Sequence, residues 1–107
     1  MTTIAALERM LAAGRDNALL RFGLGNAHLD AGDAAQAALH LARCVELDPD
    51  YSAAWKLLGK AHAALGATDA ARAAWQQGLE AARRRGDKQA EKEMTVFLKK
   101  LDKPRAG

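Results

Sequence analysis

The stretch Trp55-Lys56-Leu57-Leu58-Gly59-Lys60-Ala61-His62 has a degraded counterpart 34 residues earlier, Arg21-Phe22-Gly23-Leu24-Gly25-Asn26-Ala27-His28. The same offset aligns Gly32 with Gly66, Ala37 with Ala71 and Glu46 with Glu80. The matches fall on residues that pack or punctuate. One offset held across two helical stretches and two turns means a helical hairpin used twice. A hairpin of that size cannot bury its own apolar face, so the two must stack.

Composition supports an all-α fold. Half of the 107 residues are hydrophobic, but the excess is alanine and leucine, with 5% aromatics and two prolines. Strong helix formers dominate and β-branched residues are scarce. A chain this short forms one domain at most, and its core hides only about two thirds of the unfolded surface.

Spacing and punctuation divide the chain into six helices. Ile4, Leu7, Met10 and Leu11 form one stripe after Thr2 and Thr3, and Gly14 ends it. Asp16 and Asn17 offer caps for a second helix through Leu20, Leu24 and Ala27 to about Ala31. Gly32-Asp33 punctuates again before a third helix with Ala37, Leu41, Cys44 and Val45 on one side; it closes near Leu47, and His40 reads as lying alone on its outer part. Asp48-Pro49-Asp50 is a turn whose aspartates can cap a fourth helix, about Tyr51 to Leu65. Gly66 and Thr68 precede a fifth, carrying Ala71, Trp75, Gly78 and Leu79. Gly86-Asp87 opens a sixth, with Ala90, Met94, Phe97 and Leu101 at four, three and four residue steps.

At these positions the chain resembles the tetratricopeptide repeat (TPR) family. The pattern W-x2-L-G-x2-Y, then A-x3-F, then P is met by Trp55, Leu58, Gly59, His62, Ala71 and Trp75 in the second unit, and by Leu24, Gly25, His28, Ala37, Leu41 and Pro49 in the first. Departures are Arg21 in place of tryptophan, histidine in place of tyrosine in both units, Leu41 and Trp75 in place of phenylalanine, and Arg83 where the second proline would stand. The resemblance implies a TPR-like α-α superhelix of about six antiparallel helices. It implies a single domain over residues 1–102, with repeats at 18–51 and 52–85 and capping helices at 3–13 and 87–101; residues 103–107, with no large apolar residue to anchor them, read as a disordered tail.

The resemblance also implies a function, protein-protein interaction without catalysis, through the concave face of the stack. Trp55, Leu58, Gly59 and His62 share one helix face, and Ala53, Lys56, Leu57 and Lys60 share the opposite one. In a TPR stack the first face packs inside the hairpin and the second lines the groove. The corresponding stripe of the first unit is Leu19, Phe22, Gly23 and Asn26, and by register Glu91 and Met94 extend it. Candidate groove residues are therefore Leu19, Phe22, Asn26, Lys56, Leu57 and Lys60: an apolar patch beside donors for an extended peptide or acidic segment. On the plainer reading Phe22 packs against the N-terminal helix and the lysines are solvated charges. TPR proteins that clamp a C-terminal carboxylate use lysine and asparagine in one unit and more Asn, Lys and Arg in the next two. Here Asn26 matches one such position, but Phe22, Leu57, Asp87 and Glu91 stand at the others, so that clamp is not expected.

Other chemistry finds no constellation. His28 and His62 repeat, but no Cys, Asp or Glu at ligand spacing completes a metal site, and they read as replacements for the repeat's buried tyrosine. Cys44 has no histidine or cation placed to activate it. No phosphate-cradling G-x-x-x-x-G-K-[ST] loop is present. No cofactor, metal or enzymatic activity is expected.

The net charge of +3 is uneven: residues 1–79 hold seven Lys/Arg against eight Asp/Glu, and residues 80–107 nine against five. Arg83-Arg84-Arg85 with Lys88, Lys92, Lys99 and Lys100 is a candidate polyanion or nucleic-acid surface, an alternative not favoured because aromatics are not interleaved with it. Structural self-association of a short stack is a further alternative, and the expected state is a monomer or a weak self-associate. A lone cysteine, an N-terminus without a signal pattern and the lack of any run of roughly 18 uncharged residues set a cytoplasmic, non-membrane expectation.

Overall fold

The pattern of glycines sets where each helix stops. In the computed structural model, which describes residues 3–103, Gly14, Gly32, Gly66 and Gly86 adopt left-handed φ angles of 89°, 81°, 76° and 70°. Each closes a helix by the same device: the amide after the glycine reaches back over the last turn, as from Asp33 to the His28 carbonyl at 2.8 Å and from Ala67 to that of His62 at 2.9 Å. The described residues form six helices and no strand: α1 (Thr3–Ala12), α2 (Ala18–Asp30), α3 (Ala34–Leu47), α4 (Ser52–Ala64), α5 (Thr68–Arg85) and α6 (Lys88–Asp102). Thr2 and the tail from Pro104 onward lie outside the described residues.

Three helix starts are capped as their sequence suggests. Asn17, Asp33 and Asp87 accept from the amides of Leu20, Gln36 and Ala90. Two are not. The N-cap positions of α4 and α5 are Tyr51 and Ala67, without side-chain caps. Asp48 instead accepts from the Asp50 amide at 3.1 Å to tighten the turn, and Asp50 accepts from Arg84 at 2.6 Å. The aspartates serve the turn and its tie to α5 rather than the entry of α4.

Helices pack in sequence order, and α4 also touches both α2 and α6. The result is a row of α2, α4 and α6 on one side, alternating with α1, α3 and α5 on the other, in a slab of 48 × 33 × 21 Å. Small residues set the spacing. A Cβ on Gly25 would overlap Leu41, one on Gly59 the Trp75 indole, and one on Gly78 both Met94 and Trp55. The first core cluster joins α3 and α4 through Leu41, Cys44, Val45, Leu58 and alanines of both helices. The second joins α5 and α6 through Trp75 and Met94, with the Phe97 ring 5.2 Å from Trp75.

Helix α6 departs from the 34-residue register. Helices α2 and α4 begin at Ala18 and Ser52, 34 apart, but α6 begins at Lys88, 36 after Ser52. Without a proline where Arg83 stands, α5 continues to Arg85 before Gly86 stops it. Met94 thereby takes the place of Leu58 and is fully buried, so it does not extend the groove. Glu91 takes the place of Trp55 and pairs with Arg83 at 3.0 Å.

Candidate interaction groove

The row of α2, α4 and α6 presents the stripe on which the six candidates lie, and their environments differ along it. On α2, Leu19 is 72% exposed and Asn26 is exposed. Both line an open cavity of about 590 Å³ between α1 and α2, with Leu7, Met10, Gly23 and Asp30. Phe22 is half-buried and stacks on Tyr51, ring centroids 4.9 Å apart, so it packs toward the entry of α4. Gly23 meets α1: a Cβ there would sit 3.4 Å from Leu7 Cδ1.

On α4 the polar candidates are engaged by α6. Lys56 Nζ donates to Glu93 Oε1 at 3.0 Å, and Lys60 Nζ lies 5.2 Å from the Phe97 ring centroid, a cation-π arrangement. Leu57 is half-buried against the first core cluster. The structure thus brings Leu19 and Asn26 together at an apolar cavity. It sets Lys56 and Lys60 apart from them, facing α6.

The opposite face of the same helices holds the hairpins together. The Trp55 indole donates to the Pro49 carbonyl at 2.8 Å and the Trp75 indole to that of Lys56 at 3.0 Å. In the first unit Arg21 stands in place of Trp55. It donates to both oxygens of Asp16, at 2.7 and 3.1 Å, and to His40 Nδ1 at 3.0 Å. Because a guanidinium only donates, Nδ1 of His40 is unprotonated. The hydrogen bond from Arg21 holds the Asp16 carboxyl below its ordinary range.

His40 is not alone on an outer surface, as its polarity suggests in sequence. It is buried on α3, its ring parallel to that of His28 with centroids 5.4 Å apart. Burial, then the charges of Arg21 and His28, push its pKa below the usual histidine value. His28 is buried as well, with Nε2 lacking a partner, whereas His62 is only half-buried. The missed signal is Arg21: a charged residue at an interior hairpin position requires acceptors nearby.

Cys44 is fully buried, its Sγ donating to the Ala18 carbonyl at 3.2 Å. Burial, aided by Asp48, raises its pKa to about 11. The basic run has structural partners: Arg83 pairs with Glu91, Arg84 with Asp50, and Arg85 donates to the Asp50 carbonyl at 3.3 Å. Among the described residues no helix is long and apolar enough to cross a membrane.

Stacked helical hairpins that share a continuous face, with glycines at the helix crossings, define a helical-repeat scaffold. The tetratricopeptide repeat profile matches residues 28–91, more than half the chain. The TPR repeat-containing protein PA0015 of Pseudomonas aeruginosa is 69% identical over 102 residues, covering 95% of this chain and 97% of that protein. The chain belongs to the tetratricopeptide repeat family, whose members are generally protein-interaction modules and non-enzymatic scaffolds. Solved structures agree on the fold. The solution structure of protein BPP2914 from Bordetella parapertussis matches with a TM-score of 0.81 at 46% identity, covering 94% of this chain and 88% of that one. The crystal structure of a tetratricopeptide repeat domain protein from Salinibacter ruber gives 0.76 at 31% identity, covering 81% and 97%.

Proposed function

We propose that this chain is a non-catalytic adaptor of the cytoplasm that holds a segment of another protein along the face shared by α2, α4 and α6. In this reading residues 18–51 and 52–85 are its two repeats, and residues 3–13 and 87–101 close the ends. The observation that carries the proposal is the pairing of Leu19, 72% exposed, with Asn26 beside an open apolar cavity. Exposed apolar surface gathered around a concavity, with an amide at its rim, suits an apolar side chain and the backbone of an extended segment. Phe22 and Leu57 form the wall of the groove.

The two lysines define its polar end. A ligand carboxylate there must displace Glu93 from Lys56, so the basic end contributes selectivity more than affinity.

A partner captured by proximity labelling would be titrated against the isotope-labelled protein. Amide shifts concentrated at Leu19, Phe22, Asn26, Lys56 and Lys60, with binding weakened by Leu19→Asp and unaffected by Arg72→Ala, support the groove. Binding that leaves those amides unmoved refutes it.

A further inference from the structure

We propose that copies of this chain join head to tail, α6 of one copy pairing with α1 of the next to complete a helical hairpin that neither copy completes alone. The register carries the inference. With the 36-residue offset, Glu91, Lys92, Thr95 and Val96 of α6 correspond to Trp55, Lys56, Gly59 and Lys60 of α4. On α4 that face is covered by α5: Gly59 meets Trp75, and the Trp75 indole bonds the Lys56 carbonyl. On α6 the same face lines an open cavity of about 520 Å³.

The other end is the complementary half. Leu7 meets Gly23, and 34 residues on, Leu57 packs against the cluster that contains Leu41. Helix α1 therefore lies on α2 as α3 lies on α4. Leu7 and Met10 then correspond to Leu41 and Cys44, which face α2 across their own hairpin, where Leu41 fills the space over Gly25. In α1 these two side chains line the cavity beside α2 instead. One end lacks the second helix of a hairpin, and the other lacks the first.

Continuing the observed packing across the join sets Thr95 on Leu7 and Glu91 beside Met10. The contacts from Lys56 and Lys60 to α6 become contacts from Lys92 and Val96 to Gly23 and Ala27 of the next copy. Residues predicted to touch lie in the two cavities. The exposure pattern and the charges agree. Met10, Leu19 and Val96 are 40%, 72% and 47% exposed at these two sites. By the same register Asp30, the charged residue lining the first cavity, falls opposite Lys99, and Glu91 at the second cavity is held by Arg83. Thr95 donates its hydroxyl to the Glu91 carbonyl at 2.8 Å, so covering it leaves no orphan donor. Such a contact is heterologous and does not close on itself, so it builds short chains, and because it covers the cavity at Leu19 and Asn26 it competes with a protein segment held there.

Sedimentation equilibrium of the full chain, with Met10→Glu and Val96→Glu variants checked for folding by circular dichroism, tests the idea. The wild type is expected to gain mass with concentration, and each variant alone to be weakened about tenfold or more and remain monomeric. The equimolar mixture of variants is decisive, because each retains the end that the other has lost: it should form a one-to-one dimer and nothing larger. A wild type that stays monomeric to millimolar concentration overturns the proposal. So do variants that assemble as the wild type does, or a mixture that stays monomeric beside an assembling wild type.

Discussion

Gly59 separates two accounts of the glycines in these helices, close packing and mere tolerance. A Cβ placed there falls within the Trp75 indole, whose nitrogen donates to the Lys56 carbonyl at 3.0 Å. In Gly59→Ala the indole must move, at an overpacking cost of about 1–3 kcal/mol. Losing its hydrogen bond adds about 1 kcal/mol. Alanine's better helix propensity offsets about 1 kcal/mol. The net expectation is a loss of about 1–3 kcal/mol, which at roughly 4 °C per kcal/mol lowers Tm by about 4–12 °C.

Gly23 supplies the control within the same fold. It is helical too, but a Cβ there sits 3.4 Å from Leu7 Cδ1, an ordinary contact. Gly23→Ala should therefore stabilise, by up to about 1 kcal/mol. Thermal and urea unfolding followed by circular dichroism measure both. The packing account is refuted if Gly59→Ala is as stable as the wild type, or if the two substitutions shift Tm in the same direction.

Three further outcomes follow from single residues. His40 titrates in the folded state below its unfolded value of about 6.5. The unfolded chain thus binds more protons in that range, and stability should be full above about pH 6.5 and fall as the pH drops through it. The titratable and charged groups that face His40 are Arg21, His28, Glu8 and Asp16. Urea midpoints at pH 7.5 and 5.5 should differ in the wild type and converge in His40→Gln, which keeps an acceptor for Arg21; an undiminished pH dependence in that variant would assign it elsewhere. Cys44, raised from 9.0 to about 11 and buried, should react with a thiol reagent at least ~100-fold more slowly in the native protein than in urea. Asp87 caps α6 through the Ala90 amide and accepts from the Ser52 hydroxyl at 2.8 Å, so Asp87→Ala should cost about 1–2 kcal/mol by urea unfolding, with Asp87→Asn retaining most of the stability.

What could be read from sequence divides along a physical line. Helix number and the glycine stops were legible because they depend on local chemistry: a left-handed residue, a capping carboxylate, a 3.6-residue stripe. The crossings at Gly25 and Gly59 followed from the repeat. The register of α6 was not legible from the 34-residue offset, since it depends on how far α5 runs before stopping. Arg83 in place of proline signalled a change there, but the two-residue shift emerges only with α5 continuing to Arg85 and Gly86 turning left-handed. Met94 therefore looked like a groove residue and is core.

The polar residues show why a site is harder to read than a fold. Arg21, His28 and His40 are each unremarkable alone, and each at an interior position would destabilise the hairpin. Together they form one chain of partners from Asp16 to His28, in which Arg21 supplies the donor that His40 needs and Asp16 balances its charge. The same holds for the candidate groove, where Lys56 and Lys60 share a stripe with Leu19 and Asn26 but are drawn to Glu93 and Phe97 by the packing of α6. Helical period assigns a residue to a face, and the neighbour across that face determines whether its charge is free for a ligand. A Glu93→Gln substitution should therefore loosen Lys56 without unfolding the stack. If an acidic peptide then binds no better than to the wild type, Lys56 serves the join between α4 and α6 and not recognition.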